Sequence, residues 1–356
     1  FCAKNYRFFF IYICFFSVII SITTNFFEYD GVLLTFVRAF GFIISFGYAI
    51  KFLDKELTFQ YYKKIVFFSI TFFFLQHLVY FSTKIVLSGL IPFLPNYYDS
   101  TDALHLLSDT DKSIRFASFF IEPSYFAQYI IPYLVIILWE KNTNYRYYQV
   151  GILIVTLFLS QSGTGIFLLI SVVFMSVVLL LKRLSAIKKL LLASALLIIV
   201  PLFAVLVLMT SAGRQLYERN IEINPDKENV TSGFIRIYRG YYLFNELSPF
   251  NKLVGVGQGN LRNLIENKSS EEVKFMFYDE IYVNMFQQIL ITSGLIGVIL
   301  FLIAHFKFYL LCNNLGKVLL FTLFILMFLD AIYYTPIMLL YLVFAILNLK
   351  SNFKKI

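Results

Sequence analysis

RFASFFIEPSYFAQYIIPYLVIILW, residues 115–139, is long and apolar enough to cross a bilayer, yet Glu122 and Pro123 stand inside it. About 20 apolar residues span the hydrocarbon core. A carboxylate at that depth costs a few kcal/mol and a proline removes a helix hydrogen bond, so the pair needs a partner, water or a special role. Helical spacing sharpens this, because Arg115, Ser118, Glu122, Tyr125 and Tyr129 fall on one face of such a helix. The expected result is a polar stripe, broken at Pro123, where the carbonyl of Phe119 is freed for water or substrate.

Similar apolar runs recur along all 356 residues, of which 59% are hydrophobic and 14% charged. The pattern predicts an all-α, polytopic transmembrane helix bundle of about ten spans. They are placed at 8–27, 31–50, 65–82, 115–139, 147–161, 164–181, 189–210, 284–304, 318–334 and 336–349. The chain is expected to be one integral membrane domain, 1–356, with a large loop, 211–283, between the seventh and eighth spans. Arg7 and the apolar run after it read as an uncleaved first helix, and Phe1 in place of methionine leaves room for an upstream segment. No internal repeat is visible, which argues against a transporter built from related halves.

Orientation follows from basic residues at the helix ends. With a cytoplasmic N-terminus, the inner segments hold fourteen lysines and three arginines, while the short turns at 28–30, 162–163 and 335 hold none. Both termini are then expected in the cytoplasm, with 83–114 and 211–283 outside. The net charge of +9 is assigned to an inner lysine belt on anionic membrane lipids, and needs no nucleic acid. Cys2, Cys14 and Cys312 are too scattered to suggest a disulfide or a metal cage.

Four ionisable residues inside predicted spans, Arg38, His77, Glu122 and Asp330, all fall in the outer half. Arg38 and Glu122 each lie seven residues from an outer end, a depth of about 10 Å, so an ion pair between them is within reach. Each residue also has a plain reading: a packing salt bridge, an interhelix hydrogen bond for His77, a turn cap for Asp330. The outer loop holds Arg214, Arg219, Arg236, Arg239 and Arg262. Arginine grips phosphate oxygens with a planar fork, whereas lysine offers a point charge. Within it, residues 232–250 predict a surface helix, capped by Ser232, with Arg236 and Arg239 one turn apart and Ser248-Pro249 as its stop. An interfacial helix anchored by arginine and tyrosine would look the same. GVGQGN, 255–260, lacks the third glycine of a dinucleotide fingerprint and asks only for a tight turn.

Taken in order, EPSYFA at 122–127, LSQSGTG at 159–165, Arg236 ahead of GVGQGN, and NMFQQILITSGLIGVILF at 284–301 resemble the O-antigen and capsule repeat-unit polymerases, the Wzy-type enzymes related to O-antigen ligases. The resemblance implies a bacterial cytoplasmic-membrane glycosyltransferase. Its donor would be an undecaprenyl-pyrophosphate-linked oligosaccharide, its partners a chain-length regulator and a flippase, and its cofactors none. It implies that Glu122 is the base on the acceptor hydroxyl and that Arg236 and Arg239 clamp the leaving pyrophosphate, with Arg214 a weaker candidate. Arg38, Arg115, Ser124 and Tyr125 would bind substrate, and Asp279 is a rival acidic group. The ligases of this group are expected to use a loop histidine, and 211–283 contains none, which favours a polymerase. A ligase-like transferase and a flippase of lipid-linked oligosaccharides are the alternatives.

Overall fold

The computed structural model of the protein describes residues 29–87, 89, 115–139, 146–181, 238–277 and 282–349. Among these the regular elements are all helices: α1 (Tyr29–Phe52), α2 (Lys55–Thr83), α3 (Pro123–Trp139), α4 (Arg146–Leu159), α5 (Gly163–Leu181), α6 (Arg239–Glu246), α7 (Pro249–Val254), α8 (Leu261–Lys268), α9 (Glu271–Met276), α10 (Met285–Leu311), α11 (Asn314–Leu329) and α12 (Pro336–Leu347). Helices α1, α2, α5 and α10 are long and apolar enough to cross a membrane, and α3, α4, α11 and α12 are shorter apolar helices. These eight match eight of the expected spans; 8–27 and 189–210 lie outside the described residues.

The outward surfaces explain why these helices need lipid. Leu33, Leu34, Phe36, Val37, Phe40 and Ile44 stand exposed on α1, as do Phe167, Ile170, Val173 and Phe174 on α5. A helix apolar on its exposed side as well as its buried one is stable in hydrocarbon rather than water. The chain is a helical membrane protein.

The helices gather into two compact units, divided at Asp54 and Val173. The unit Asp54–Val173 holds α2, α3, α4 and most of α5. In it α3 packs on both α2 and α4, and its core includes Val66, Ile70, Phe73, Phe126, Ile130, Leu134 and Leu157.

The other unit holds α1, the end of α5 and α6 to α12. Helices α10, α11 and α12 pack in antiparallel succession. Met285 N–H donates to the Asp330 carbonyl at one end (3.0 Å), and Asn313 N–H to the Asn348 carbonyl at the other (2.9 Å). Side chains set the starts: Asn284 and Gln287 form a reciprocal capping box on α10, and Asn313 caps α11. Pro336 opens α12, where its missing N–H removes no helical bond. Helix α10 breaks at Gly294 (φ 64°, ψ −172°). Before the break its residues are nearly all buried, whereas after it Leu295, Ile296, Ile299, Ile303 and Phe306 are exposed.

Two expected helices are corrected. Residues 115–122 are a turn, and the helix within 115–139 starts at Pro123. Proline at a first position breaks nothing. The interior proline is Pro132, so the helical bond lost to a proline is the one to the Gln128 carbonyl, not that of Phe119. Of the predicted helix over 232–250, residues 232–237 lie outside the described residues, and from Arg239 on the chain forms α6 and then α7, joined at Leu247-Ser248. Ser248-Pro249 ends the first and begins the second, Ser248 Oγ accepting from Asn251 N–H at 3.2 Å.

Candidate active site

In the unit Asp54–Val173 the acidic centre is built by a turn held on α2. Ser118 has φ 56° and is 1% exposed. A non-glycine residue in that region costs about 1–2 kcal/mol, and the surroundings offset it. Ser118 N–H donates to Gln76 Oε1 at 3.0 Å, Gln76 Nε2 donates to the Ser118 carbonyl at 3.2 Å, and Ser118 Oγ donates to the Ser69 carbonyl at 2.7 Å. Aromatic rings grip the flanks: Phe119 stacks on Phe72 at 4.1 Å and Phe68 at 5.2 Å, and Phe116 meets His77 at 4.7 Å.

From this turn the chain enters α3 with Glu122 just ahead of its first residue. The Glu122 carbonyl accepts the first helical bond, from Phe126 N–H (3.2 Å), and Ser124 Oγ donates to its Oε2 (2.8 Å). A carboxylate at a helix N-terminus is stabilised by the unsatisfied N–H groups there, typically by 0.3–1 kcal/mol. The glutamate thus stands at a helix start and is half-buried, while Ser124 is buried. The turn LSQSGTG joins the same neighbourhood, because a Cβ on Gly165 would lie 2.7 Å from that of Ala127 on α3. Ser160, Ser162 and Thr164 are buried around it.

In the other unit the loop helices form a small core of Leu243, Leu247, Val256, Leu264, Ile265, Val273 and Phe277 against Val283 and Ile291. Arg239, the first residue of α6, is 1% exposed, with its guanidinium over the Phe277 ring, 4.1 Å from the centroid. A buried cation–π contact of this kind is worth about 2 kcal/mol. Its neighbour Gly240 lies so close to α10 that a Cβ there would meet the Gln287 side chain at 2.7 Å. Burial also raises the pKa of the Tyr241 hydroxyl above its usual value.

GVGQGN does more than turn. Gly255, Gly257 and Gly259 have φ of 85°, 90° and 87°. The segment runs beside the α10 break, and Val256 N–H and Gly257 N–H donate to the Ile291 and Thr292 carbonyls at 3.0 and 2.9 Å. A kink leaves carbonyls without helical donors, at about 1–3 kcal/mol each if buried unmet; these amides meet them. Gln258 Nε2 adds bonds to Thr292 Oγ1 (2.8 Å) and Ser293 Oγ (2.9 Å). Asp330 is 2% exposed. Its Oδ1 accepts from the Tyr282 hydroxyl and, at 2.8 Å, from Ala331 N–H, tying the chain entering α10 to the end of α11.

Of the residues singled out in the sequence, Glu122 and Ser124 are brought into contact, and Arg115 and Tyr125 lie half-buried in the same unit. Arg38 is exposed on α1, and Arg239 is enclosed in the loop. Arg214, Arg236 and Asp279 lie outside the described residues. Because 115–122 is not helical, Arg115, Ser118 and Glu122 share no helix face with Tyr125 and Tyr129. His77 bonds within its own helix, its Nδ1 lying 3.0 Å from the Phe73 carbonyl, so the expected interhelix bond is replaced. Sequence reading missed Gln76, Gln258 and Phe277. The alternating glycines of GVGQG were a visible signal; Gln76 had none, since its partner lies 42 residues away. Among the described residues no cluster of three or more His, Cys, Asp or Glu is arranged to hold a metal.

Residues 150–302, from α4 through the loop to α10, match a family model described as O-antigen ligase. No curated protein and no solved structure matches the chain.

Proposed function

We propose, from the premise that residues 150–302 match the O-antigen ligase family model and so put the chain in the O-antigen ligase and polymerase superfamily, that it polymerises oligosaccharide repeat units carried on undecaprenyl pyrophosphate, at the outer face of a bacterial cytoplasmic membrane. A hydroxyl oxygen of the acceptor unit attacks the anomeric carbon of the donor chain, and the bond from that carbon to the pyrophosphate oxygen breaks. The electron pair leaves with undecaprenyl pyrophosphate, and the hydroxyl proton passes to Glu122. A base must stand within hydrogen-bond reach of the proton it takes; Glu122, at the start of α3, is half-buried and not enclosed in the core.

Negative charge growing on the leaving group is stabilised by fixed cations. Arg236 is the proposed clamp, with Arg214 and Arg115 as further phosphate contacts. Arg239, enclosed against Phe277, acts by holding the loop in shape and not by touching substrate. Arg38, exposed on α1, is assigned to the second lipid headgroup. Ser124 and Tyr125 are assigned to the acceptor, and Asp279 is the rival acidic group on the substrate. Chain-length regulation and flipping fall to separate proteins of the pathway.

The observation that carries the polymerase reading is a loop over 211–283 rich in arginine and free of histidine. The description of the matching family favours the second reading, a ligase that passes finished polymer to another acceptor. Deletion of the gene separates the two. A polymerase mutant displays single repeat units, a ligase mutant accumulates full-length lipid-linked polymer, and repeat units trapped inside the cell would identify a flippase and refute both.

A further inference from the structure

We propose that Gln76 is a positioning residue for Glu122: its amide fixes the Ser118 turn and so sets where the carboxylate enters the site. This rests on the reading of Glu122 as the acceptor base. Gln76 is 3% exposed on α2, and both ends of its amide are engaged. Oε1 accepts from Ser118 N–H (3.0 Å), while Nε2 donates to the Ser118 carbonyl (3.2 Å) and to the Leu87 carbonyl (2.9 Å). The partners fix which end is which, because a backbone N–H only donates and a carbonyl only accepts. One side chain thus replaces, for Ser118, both bonds that a helix or strand would have supplied.

Ser69 and Gln76 are seven residues apart and therefore on one face of α2. Through them α2 holds the turn at its hydroxyl and at its backbone. Gly89 closes the other side: a Cβ there would lie 1.6 Å from the Ser118 carbonyl oxygen, so the chain passes directly over the turn. Ser118 is held at φ 56° by these contacts, four residues before Glu122. Without the amide the backbone is free to relax to negative φ, which redirects the four residues leading to the carboxylate. Displacement of a reacting group by about 1 Å lowers rate by about a hundredfold, so a modest relaxation is enough to be read.

The test uses the full-length chain in the deletion strain, with surface polymer and membrane abundance measured together. Gln76→Met keeps the volume and removes both bonds; polymer per protein is expected to fall about tenfold or more. Adding Glu122→Gln to it should lower activity no further than Glu122→Gln alone, because a positioning residue has no effect once its target is gone. Adding Ser118→Gly to Gln76→Met should restore part of the loss, since glycine adopts positive φ without being held. Gln76→Asn, which keeps an amide one methylene short, replaces the methionine variant if that protein does not accumulate. Wild-type polymer from an accumulated Gln76 variant, or losses that multiply with Glu122→Gln, overturns the inference. Failure of the wild-type gene to restore polymer, or an unimpaired Glu122→Gln, strikes instead at the reaction proposed above.

Discussion

Glu122 shows what a single residue does and does not reveal. Its sequence setting, a glutamate and a proline in an apolar run, announces a special position, and the structure resolves it as a helix start with Ser124 donating to the carboxylate. Glu122→Gln keeps the shape and removes the base; polymer formation should fall about a hundredfold or more at unchanged abundance, and chain lengths on a gel check it. Arg239 carries the opposite lesson. Arginine in an outer loop invites a role in phosphate binding, but the residue is 1% exposed and stacked on Phe277. Arg239→Ala should therefore destabilise the protein by about 2–4 kcal/mol through lost packing and a lost cation–π contact. A thermal melt in detergent that matches wild type would contradict this.

At the scale of elements, the break in α10 and the segment GVGQGN explain each other. A Cβ on Gly255 would lie 2.3 Å from the Thr292 carbonyl oxygen, and one on Gly294 2.3 Å from that of Leu253, both at positive φ. Gly255→Ala or Gly294→Ala should thus cost about 2–4 kcal/mol, through strained backbone and displaced amides. Gly151, in the middle of α4 with nothing within 4 Å of its added Cβ, is the control. Gly151→Ala should change stability by less than about 1 kcal/mol. Comparing the three melting points checks both statements. The glycine spacing was legible in the sequence, but its use was not, because the donors at 256–257 and the acceptors at 291–292 are far apart along the chain.

For the whole molecule, the prediction concerns sidedness. The charge rule predicts that the lysine-rich helix ends face the cytoplasm and that residues 211–283 lie outside. With the native cysteines replaced, Glu266→Cys, on the exposed face of α8, should react with an impermeant maleimide in intact spheroplasts, and Lys51→Cys only after lysis. The reverse pattern would exclude an extracytoplasmic site and the lipid-linked donor with it. The eight apolar helices were readable because hydrocarbon imposes one rule on every residue of a span, and runs of Leu, Ile, Val and Phe record it locally. By itself, then, the sequence determined a helical membrane protein and the approximate places of the eight described apolar helices, since each depends on neighbouring residues alone. Only the tertiary structure decided that Pro123 begins a helix, that Gln76 holds Ser118 and that Arg239 lies enclosed. Each of these follows from partners distant in sequence, whose hydrogen bonds and packing outweigh local preference.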